Sequence, residues 1–325
     1  MKILFIGGTG NISTPVSQKL ITEGHALYLL NRGQRATLPG AISLPADVKN
    51  PAAVQSVLAG HTFDAVVNWI AYKSEDIERD LALFAGRAAQ YVFISSASVY
   101  EKPVRHPVIT EATPLHNPFW PYSQDKIRCE QRLMRAAHES GFPVTIVRPS
   151  HTYNTIWPVL LGGAEFTYAS RIRRGEPIIV HGDGTALWTV THADDFAHGF
   201  IGLLGHPAAI GQSFHITSDE RLTWNDIYLA IGRALGAEPR MVHIPSDWLA
   251  AQEPSLRGPL FGDKMYSVIF DNSAVKRLVP DFVAKIPLHA GLRRTAAWFD
   301  ADPARQRVNT EHEALLQRCL SAWNA

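Results

Sequence analysis

The stretch Lys2-Ile3-Leu4-Phe5-Ile6-Gly7-Gly8-Thr9-Gly10-Asn11-Ile12-Ser13 opens the chain with an apolar run that ends in a cluster of glycines. The apolar run predicts a strand buried on both faces, and Pro15 predicts the first turn of a helix, where no amide donor is missed. Glycines let the backbone turn sharply without Cβ atoms, and a helix N-terminus presents free amides and partial positive charge. Together they predict a site for the pyrophosphate of a dinucleotide. Ser13 replaces the usual third glycine, and its small side chain still allows close packing of helix on strand.

Strand and helix patterns alternate through the first half of the chain. The predicted strands are 3–6, 26–30, 65–70, 91–95 and 144–147. The predicted helices are one that ends at Gly24, one that Asn50-Pro51 begins and Gly60 ends, and two over 74–90 and 122–140. This alternation predicts an α/β fold, a Rossmann-type doubly wound parallel sheet whose ligands bind at the carboxyl ends of the strands.

The alternation weakens after Ser150, where prolines, glycines and aromatic residues become frequent. We therefore predict a dinucleotide-binding domain over 1–150 and a smaller C-terminal domain, mainly for substrate binding, over 151–325. Segments near 190–217 are expected to return to the first domain, as a helix over 193–204 and a short strand over 213–217.

Composition favours an ordinary enzyme. The 325 residues carry a formal charge of +1, so no basic stripe indicates a nucleic-acid partner. Cys129 and Cys319 have no disulfide or metal-site spacing, which is typical of a reducing compartment. No apolar run of roughly eighteen residues predicts a membrane span, and the first strand is too short for a signal peptide, so we expect a cytoplasmic protein. None of the fourteen histidines has a metal-ligand spacing, and we expect no metal.

A second constellation combines a serine-rich strand end with a tyrosine and a lysine. Ser95-Ser96-Ala97-Ser98-Val99-Tyr100 follows the fourth predicted strand, and Pro121-Tyr122-Ser123-Gln124-Asp125-Lys126 begins a helix. Tyr122 and Lys126 lie one helical turn apart, so an ammonium group beside the phenol is expected to lower its pKa towards neutrality. A serine hydroxyl at the strand end would bond the substrate oxygen. The alternative is that Tyr122 and Lys126 are an ordinary side-chain pair on one helix. We favour a site of proton transfer, because this pair follows both the glycine turn and the serine-rich strand end along the chain.

The glycine turn, the serine segment and the Tyr122–Lys126 pair, with four further segments, resemble the extended short-chain dehydrogenase/reductase superfamily, in its branch of NAD-dependent epimerases and dehydratases. The four further segments are Ala46-Asp47-Val48, Asn68-Trp69-Ile70-Ala71, Arg148-Pro149-Ser150-His151-Thr152 and His192-Ala193-Asp194-Asp195. The resemblance implies that Tyr122 is the general acid and base, that Lys126 holds the nicotinamide ribose, and that Ser96 is the catalytic hydroxyl. It also implies a possible homodimer, paired through the helix that carries Tyr122.

The resemblance also implies a cofactor site. Asp47 and Val48 would contact the adenine, Ala71 would line the groove, and the segment 149–152 would meet the nicotinamide carboxamide. The candidate cofactor-binding residues are Gly7, Thr9, Gly10, Asn11, Ile12, Asn31, Arg32, Asp47, Val48, Ala71, Tyr122, Lys126, Pro149, His151 and Thr152.

Two departures from the family pattern narrow the chemistry. Dehydratases carry an acid and a base after the catalytic hydroxyl, and this chain has Ala97 and Ser98 there, which disfavours dehydration. NAD-preferring members carry an acidic residue after the second strand, where this chain has Asn31 and Arg32. Arg32 would bind a 2′-phosphate, which favours NADP slightly over NAD. The alternative is a solvent-facing loop cation.

A third departure concerns the substrate. Sugar-nucleotide enzymes of this branch carry an arginine four residues before the histidine of the HxDD motif, and this chain has Trp188. With Tyr153, Trp157, Phe166 and Tyr168 nearby in sequence, it predicts a pocket for an uncharged, sugar-like ligand, although each aromatic could instead fill a core. The candidate substrate-binding residues are Ser98, Tyr153 and Trp188. Phosphate could still bind Arg171, Arg173 and Arg174, for which a solvated helix end is the favoured interpretation.

The sequence thus favours an NAD(P)-dependent oxidoreductase or epimerase that acts on a hydroxyl or keto group of a small carbohydrate-like substrate. One alternative is a sugar-nucleotide epimerase. The other is a catalytically silent dinucleotide-sensing regulator or nucleic-acid-binding protein on the same fold.

Overall fold

A computed structural model of the chain describes residues 1–34 and 37–324. The strands are β1 Lys2–Ile6, β2 Ala26–Asn31, β3 Ile42–Pro45, β4 Ala65–Asn68, β5 Tyr91–Ile94, β6 Val108–Ile109, β7 Val144–Pro149, β8 His151–Tyr153, β9 Pro177–His181, β10 Leu187–Trp188, β11 Val190–His192, β12 Ser213–Ile216, β13 Leu222–Thr223, β14 Arg240–Ile244 and β15 Ile269–Phe270. The helices are α1 Ser13–Thr22, α2 Pro51–Val57, α3 Ser74–Phe84, α4 Pro121–Ser140, α5 Thr167–Arg173, α6 Ala193–Leu203, α7 Trp224–Leu235, α8 Ser246–Gln252, α9 Arg257–Pro259, α10 Ser273–Leu278, α11 Leu288–Asp300 and α12 Thr310–Trp323.

The central sheet has seven strands in the order β12-β7-β5-β4-β1-β2-β3, all paired in parallel. The predicted fold class is confirmed. The chain runs outwards in both directions from β1, so the carboxyl ends of β1 and β4 form the switch point at which such sheets bind ligands. All four apolar residues of β1 are fully buried, as expected of a strand covered on both faces.

Element boundaries differ from the predictions in a few places. Strand β3 was not predicted, because its sequence Ile42-Ser43-Leu44-Pro45 forms a short, largely exposed edge strand without a continuous apolar run. The helix predicted over 74–90 ends at Phe84, and Gly86 then turns the chain with a positive φ of 71°. The strand predicted over 65–70 ends at Asn68.

Two apolar cores cover the sheet. Helices α1 and α6 pack together on one face, where Leu20 and Phe200 are fully buried. Helices α3 and α4 cover the other face, where Ile77 and Leu133 are fully buried. Because both faces are covered, ligands can reach the sheet only at its edges, and α4 brings its N-terminal turn to the carboxyl edge.

A third core lies in the C-terminal half and contains most of the aromatic residues predicted to form a substrate pocket. Trp157 stacks on Phe299 at 5.4 Å between ring centroids, and Phe166 contacts the same ring at 5.2 Å. Tyr168 stacks on Tyr228 at 5.8 Å. These rings are therefore packed against one another, and the core interpretation applies to Trp157, Phe166 and Tyr168.

A buried ion pair fixes α4 to the sheet. Arg148 on β7 donates from Nη2 to Glu130 Oε2 on α4 at 2.7 Å and from Nε to Oε1 at 3.0 Å, and both side chains are at most 5% exposed. Arg148 also donates to the Tyr100 hydroxyl at 3.2 Å. The pair therefore joins α4, the sheet and the segment after β5.

We expect Arg148→Met to lower the free energy of unfolding by about 3 to 5 kcal/mol, because it leaves Glu130 buried without its partner. Urea unfolding measures this loss. The matched control is Arg132→Met, which removes a pair with Glu78 at the surface and should cost at most about 1 kcal/mol. Equal losses in the two variants would contradict the importance of the buried pair.

Candidate active site

The glycine turn after β1 is held by its own contacts. A Cβ atom on Gly8 would lie 2.8 Å from Leu29 Cδ2, and Gly8 has a φ of 94°. Ser17 Oγ donates to the carbonyl oxygen of Gly8 at 2.9 Å. Ser13 Oγ accepts from the amide of Gly10 at 2.9 Å, so the serine at the third glycine position fixes the turn.

Gly10 differs from Gly8, because the chain itself does not require a glycine there. Gly10 has no positive φ, and a Cβ atom on it would meet only Ser13 Oγ at an ordinary 3.5 Å. It is exposed at the entry to α1, where helix amides and dipole favour an anion. The turn therefore fits a pyrophosphate group, which needs close approach to the backbone.

A cavity of about 630 Å³ opens beside this turn at the switch point of the sheet. The predicted cofactor residues that line it are Gly7, Thr9, Asn31, Arg32, Asp47 and Val48. Lys49 and Ile70 line it as well and were missed by sequence reasoning, although Ile70 lies within a quoted family motif. Ile70 is 42% exposed, so a ligand in this cavity could contact it directly.

Other predicted cofactor residues connect the two halves of the chain. Asn11 Nδ2 donates to the carbonyl oxygen of Thr152 at 3.0 Å, and Asn11 Oδ1 accepts from the Thr155 amide at 3.3 Å. Ile12, the residue before α1, is half-buried. These contacts hold the glycine turn against the segment that follows β7.

Lys126 is buried at the carboxyl edge of the sheet. Its Nζ donates to the carbonyl oxygens of Ala71 at 2.7 Å and Ile94 at 2.8 Å, beyond β4 and at the end of β5. It also lies 4.5 Å from the centre of the Tyr72 ring. Burial lowers the pKa of Lys126 to about 8, so the ammonium form still dominates at neutral pH.

Tyr122 lies on the same face of α4, with its ring centre 6.0 Å from Lys126 Nζ. Burial raises the pKa of Tyr122 to about 12, and a hydrogen bond with Ser96 offsets only part of this rise. The expectation that Lys126 alone brings the phenol pKa towards neutrality is therefore wrong for the chain by itself. Burial is the largest cause of the shift in the Tyr122 pKa.

Ser96 belongs to a chain of three serine hydroxyls. Ser123 Oγ donates to Ser98 Oγ at 2.7 Å, and Ser98 Oγ lies 3.0 Å from Ser96 Oγ. The amide of Ser98 also donates to Ser96 Oγ at 3.2 Å. Ser98, predicted to bind substrate, is buried, lines the cavity described next and also positions Ser96.

A second cavity, of about 250 Å³, lies beside Ser96 and Tyr122. Its lining includes the predicted residues Pro149, His151 and Trp188. It also includes residues that sequence reasoning missed, namely Lys102, Trp120, Asp263, Lys264 and Phe270. Asp263 and Lys264 are far in sequence from the motifs, and no local pattern marks them. The cavity has the size and position of a pocket for a small substrate.

Tyr153 does not line this cavity. Its hydroxyl donates to the carbonyl oxygen of Leu288 at 3.4 Å, and its ring packs edge-on against His192 at 5.3 Å. It is 1% exposed and belongs to the C-terminal core.

The three arginines near α5 are paired with carboxylates. Arg171 contacts Glu313 at 2.8 Å, Arg173 contacts Asp300 at 2.8 Å, and Arg174 contacts Glu176 at 2.7 Å. Arg171 is only 2% exposed, so the solvated interpretation is wrong for it but holds for the other two, which are more exposed. Since all three charges are compensated, nothing here favours a phosphate site.

The HxDD motif closes the fold around the site. Both carboxylate oxygens of Asp195 accept from backbone amides, those of Lys285 at 3.0 Å and Ile286 at 2.9 Å. His192 Nδ1 accepts from the Asp194 amide at 3.2 Å and caps α6. The motif therefore holds the segment before α11 against α6.

The described residues form neither a membrane-spanning helix nor a metal-binding cluster. Every helix they form is too short or too polar to span a bilayer. These same residues contain no group of three or more His, Cys, Asp or Glu side chains placed to bind a metal ion.

Comparisons with known proteins agree with this geometry. The model of the NAD dependent epimerase/dehydratase family matches residues 3–217. The chain is 27% identical to 2'-dehydrokanamycin reductase from Streptomyces kanamyceticus, over 87% of this chain and 80% of that protein. It is 29% identical to the chloroplast stem-loop binding protein of 41 kDa b from Arabidopsis thaliana, over 74% of this chain and 65% of that protein. Among solved structures, the epimerase Mth375 from Methanothermobacter thermautotrophicus superimposes with a TM-score of 0.76 at 16% identity and 93% coverage of both chains.

We expect Gly10→Ala to weaken NAD and NADP binding by at least about tenfold, or about 1.4 kcal/mol, because the new Cβ blocks the approach of the pyrophosphate. Unfolding stability should stay equal or rise by up to about 1 kcal/mol. Calorimetric titration and urea unfolding measure the two effects.

The control is Gly24→Ala, which lies at the far end of α1 with a φ of 78°. It should lose stability and keep cofactor affinity. Unchanged affinity in Gly10→Ala would refute the role of this turn as a pyrophosphate cradle.

Proposed function

Because the chain belongs to the NAD-dependent epimerase/dehydratase family, we propose that it is an NAD(P)-dependent oxidoreductase or epimerase that acts on a hydroxyl or keto group of a small carbohydrate-like substrate. One observation carries this proposal. Tyr122 and its hydrogen-bond partner Ser96 line the smaller cavity, and buried Lys126 lies one helical turn further along α4.

The proposed chemistry is hydride transfer coupled to proton transfer. The nicotinamide supplies the hydride acceptor or donor when the cofactor is bound. In the oxidising direction Tyr122 Oη takes the proton of the substrate hydroxyl, and in the reducing direction it returns a proton to the keto oxygen. Ser96 Oγ would hydrogen-bond the same oxygen.

The phenol pKa of about 12 means that Tyr122 carries its proton at neutral pH. The protein alone therefore favours the acid role of Tyr122, that is, reduction of a keto group. Oxidation needs a further positive charge near the phenol, which the oxidised nicotinamide ring would supply.

We propose the roles of the cofactor residues from the lining of the larger cavity, the glycine turn and the position of Lys126. The glycine turn and the N-terminus of α1 would hold the pyrophosphate, Asp47 and Val48 the adenine, and Lys126 the nicotinamide ribose. Asn31 ends β2 and Arg32 follows it, both in the lining of this cavity, and Asn31 Oδ1 accepts from the Gly33 amide at 2.9 Å. We propose NADP as the slightly favoured cofactor, with NAD as the alternative.

Three observations bear on the substrate and the reaction. The relative from Streptomyces kanamyceticus is named a 2'-dehydrokanamycin reductase, which supports a carbohydrate-like substrate and a reductive reaction. Ala97 and Ser98 line the cavity and bear neither a carboxylate nor an ammonium group, so we propose that the enzyme is not a dehydratase. A sugar-nucleotide epimerase is less favoured, because Trp188 occupies the arginine position and the arginines of α5 are paired.

A second candidate is a stem-loop-binding protein on the same fold, which the name of the Arabidopsis thaliana relative suggests. The formal charge of +1 argues against it, because nucleic-acid affinity depends on clustered cations. Salt-dependent binding of an RNA hairpin, unaffected by Tyr122→Phe, would favour this candidate.

Subunit pairing through α4 and a cytoplasmic location remain predictions.

The function is tested with Tyr122→Phe and Lys126→Ala. We expect Tyr122→Phe to abolish turnover and to keep cofactor affinity nearly intact, because the phenol moves the proton and does not anchor the dinucleotide. Lys126→Ala should damage both. Nicotinamide absorbance with a panel of sugars, keto sugars and polyols measures turnover, and titration measures affinity. An active Tyr122→Phe enzyme would refute the role of Tyr122 as the residue that transfers the proton.

The cofactor preference is tested with Arg32→Ala. If the guanidinium binds the 2′-phosphate, this variant should lose about 1.5 to 3 kcal/mol of NADP affinity, about tenfold or more, and keep its NAD affinity. Lys49→Ala, another cation at the same cavity, is the matched control. Tighter binding of NAD than NADP by the unsubstituted protein would show that Arg32 does not contact a 2′-phosphate.

A further inference from the structure

The smaller cavity contains a buried lysine with almost no partner. Lys102 is 2% exposed, and among the described residues its Nζ reaches only the carbonyl oxygen of Tyr100, at 3.5 Å, which is the outer limit of a hydrogen bond. Burial lowers the pKa of Lys102, and nearby Asp263 partly opposes that effect. A buried ammonium group is costly unless it is paired, so a partner from outside the chain would be favourable here.

A second lysine faces the same cavity between two indole rings. Lys264 Nζ lies 5.9 Å from the centre of the Trp120 ring and 6.0 Å from that of Trp188. It is also 3.4 Å from Asp263 Oδ2. The Trp120 ring in turn lies 5.0 Å from the Tyr122 ring, so this cation sits one aromatic ring away from the reacting hydroxyl.

The charged side chains that line this cavity are two lysines and one aspartate, which give a formal charge of +1 when both lysines are protonated. Burial lowers the pKa of His151, the histidine of the lining, to about 3, and Lys264 contributes to the same effect. His151 is therefore neutral and adds no charge. A single anionic group would balance the cavity.

Hydrogen bonds through Asn117 join the segment that carries Lys264 to the serine segment after β5. Asn117 Nδ2 donates to the carbonyl oxygens of both Ser98 and Gly262, each at 2.7 Å. The carbonyl oxygen of Lys264 accepts from Trp224 Nε1 at 3.0 Å. Residues Leu260–Lys264 form a π-helical turn, a feature frequent at functional sites.

The indole of Trp120 is fixed by the same segment. A Cβ atom on Gly262 would lie 2.7 Å from Trp120 Cβ, so the backbone of the π-helical turn packs directly on this side chain. Lys264, Trp120 and Tyr122 therefore keep a defined spacing. Such preorganisation is expected of a binding site and is not needed for a solvent-facing lysine.

We propose that this cavity binds the carboxylate of a sugar acid or a similar carboxylated polyol through Lys102 and Lys264. The inference rests on the proposed function, because it names the substrate class of the same site. One net positive charge suits a monoanionic carboxylate, while a diphosphate brings more negative charge than the cavity balances. An amino sugar would place an ammonium group against two lysines.

Binding is measured by tryptophan fluorescence, since Trp120 and Trp188 line the cavity. The probes are D-glucuronate and D-galacturonate, the parent sugars D-glucose and D-galactose, and D-glucosamine, each added to the NADP complex. We expect the acids to bind at least tenfold more tightly than the parent sugars and D-glucosamine to bind most weakly. Equal affinity for acids and parent sugars, or no acid binding at millimolar concentration, overturns the proposal.

Three variants assign the effect to the named charges. Lys102→Met and Lys264→Met should each weaken acid binding about tenfold or more, because each loses a charged hydrogen bond, and should leave the affinity for parent sugars unchanged. Asp263→Asn should strengthen acid binding, because it removes the competing carboxylate. Lys276→Met, which removes an exposed lysine paired with Asp219, is the matched control.

Stability provides an independent readout. Lys102→Met should unfold at the same urea concentration as the unsubstituted protein or at a higher one, because it removes a poorly paired buried charge. Lower stability in Lys102→Met together with equal loss of acid and parent-sugar binding would show that Lys102 is only structural.

The proposal and the proposed function can fail separately. Tyr122→Phe should keep the lysine-dependent preference for acids over parent sugars, so this preference without any turnover in the unsubstituted protein would leave this inference standing and refute the proposed function. Turnover of neutral sugars that depends on Tyr122 but not on Lys102 would support the proposed function and overturn the inference about the carboxylate. Tighter binding of UDP-glucuronate than of D-glucuronate would identify a nucleotide sugar as the source of the carboxylate and overturn the choice of a free acid.

Discussion

The site depends on one buried ammonium group at the carboxyl edge of the sheet. Lys126 Nζ bonds the carbonyl oxygens of Ala71 and Ile94, which belong to segments that follow neighbouring strands. Without this cation, two buried carbonyl groups would lack their donor. The same two hydrogen bonds fix the N-terminal part of α4 and thus the position of Tyr122. The buried pair of Arg148 and Glu130 secures the helix further along its length.

The elements that could be predicted from the sequence are those whose signal is local. The strand, glycine turn and helix at the start of the chain are encoded within one short segment, and Tyr122 and Lys126 lie one helical turn apart on the same helix. Strand β3 escaped prediction because an exposed edge strand needs no apolar run. Lys102, Asp263 and Lys264 escaped it because their proximity arises only when the π-helical turn folds back onto the serine segment.

The aromatic residues show a different limit of prediction from sequence. The five aromatic residues considered for the substrate pocket look equivalent in sequence, yet only Trp188 lines the cavity. Trp157, Phe166, Tyr168 and Tyr153 are buried among other core residues. Aromatic rings stabilise a core and a sugar pocket by the same burial of apolar surface, so sequence cannot distinguish the two uses. The tertiary packing of α7 and α11 decides between them.

The two titrating groups of the site are shifted in opposite directions by one cause. Burial lowers the pKa of Lys126 to about 8 and raises that of Tyr122 to about 12, because it disfavours the charged form of each. Burial therefore favours the neutral forms of Tyr122 and Lys126, whereas their helical spacing alone suggests a phenolate beside an ammonium group. A positive charge that a ligand brings beside Tyr122 would favour its phenolate and lower its pKa. If Tyr122 transfers the proton as proposed, we therefore expect its chemistry to depend on the occupancy of the two cavities and on the charges that line the smaller one.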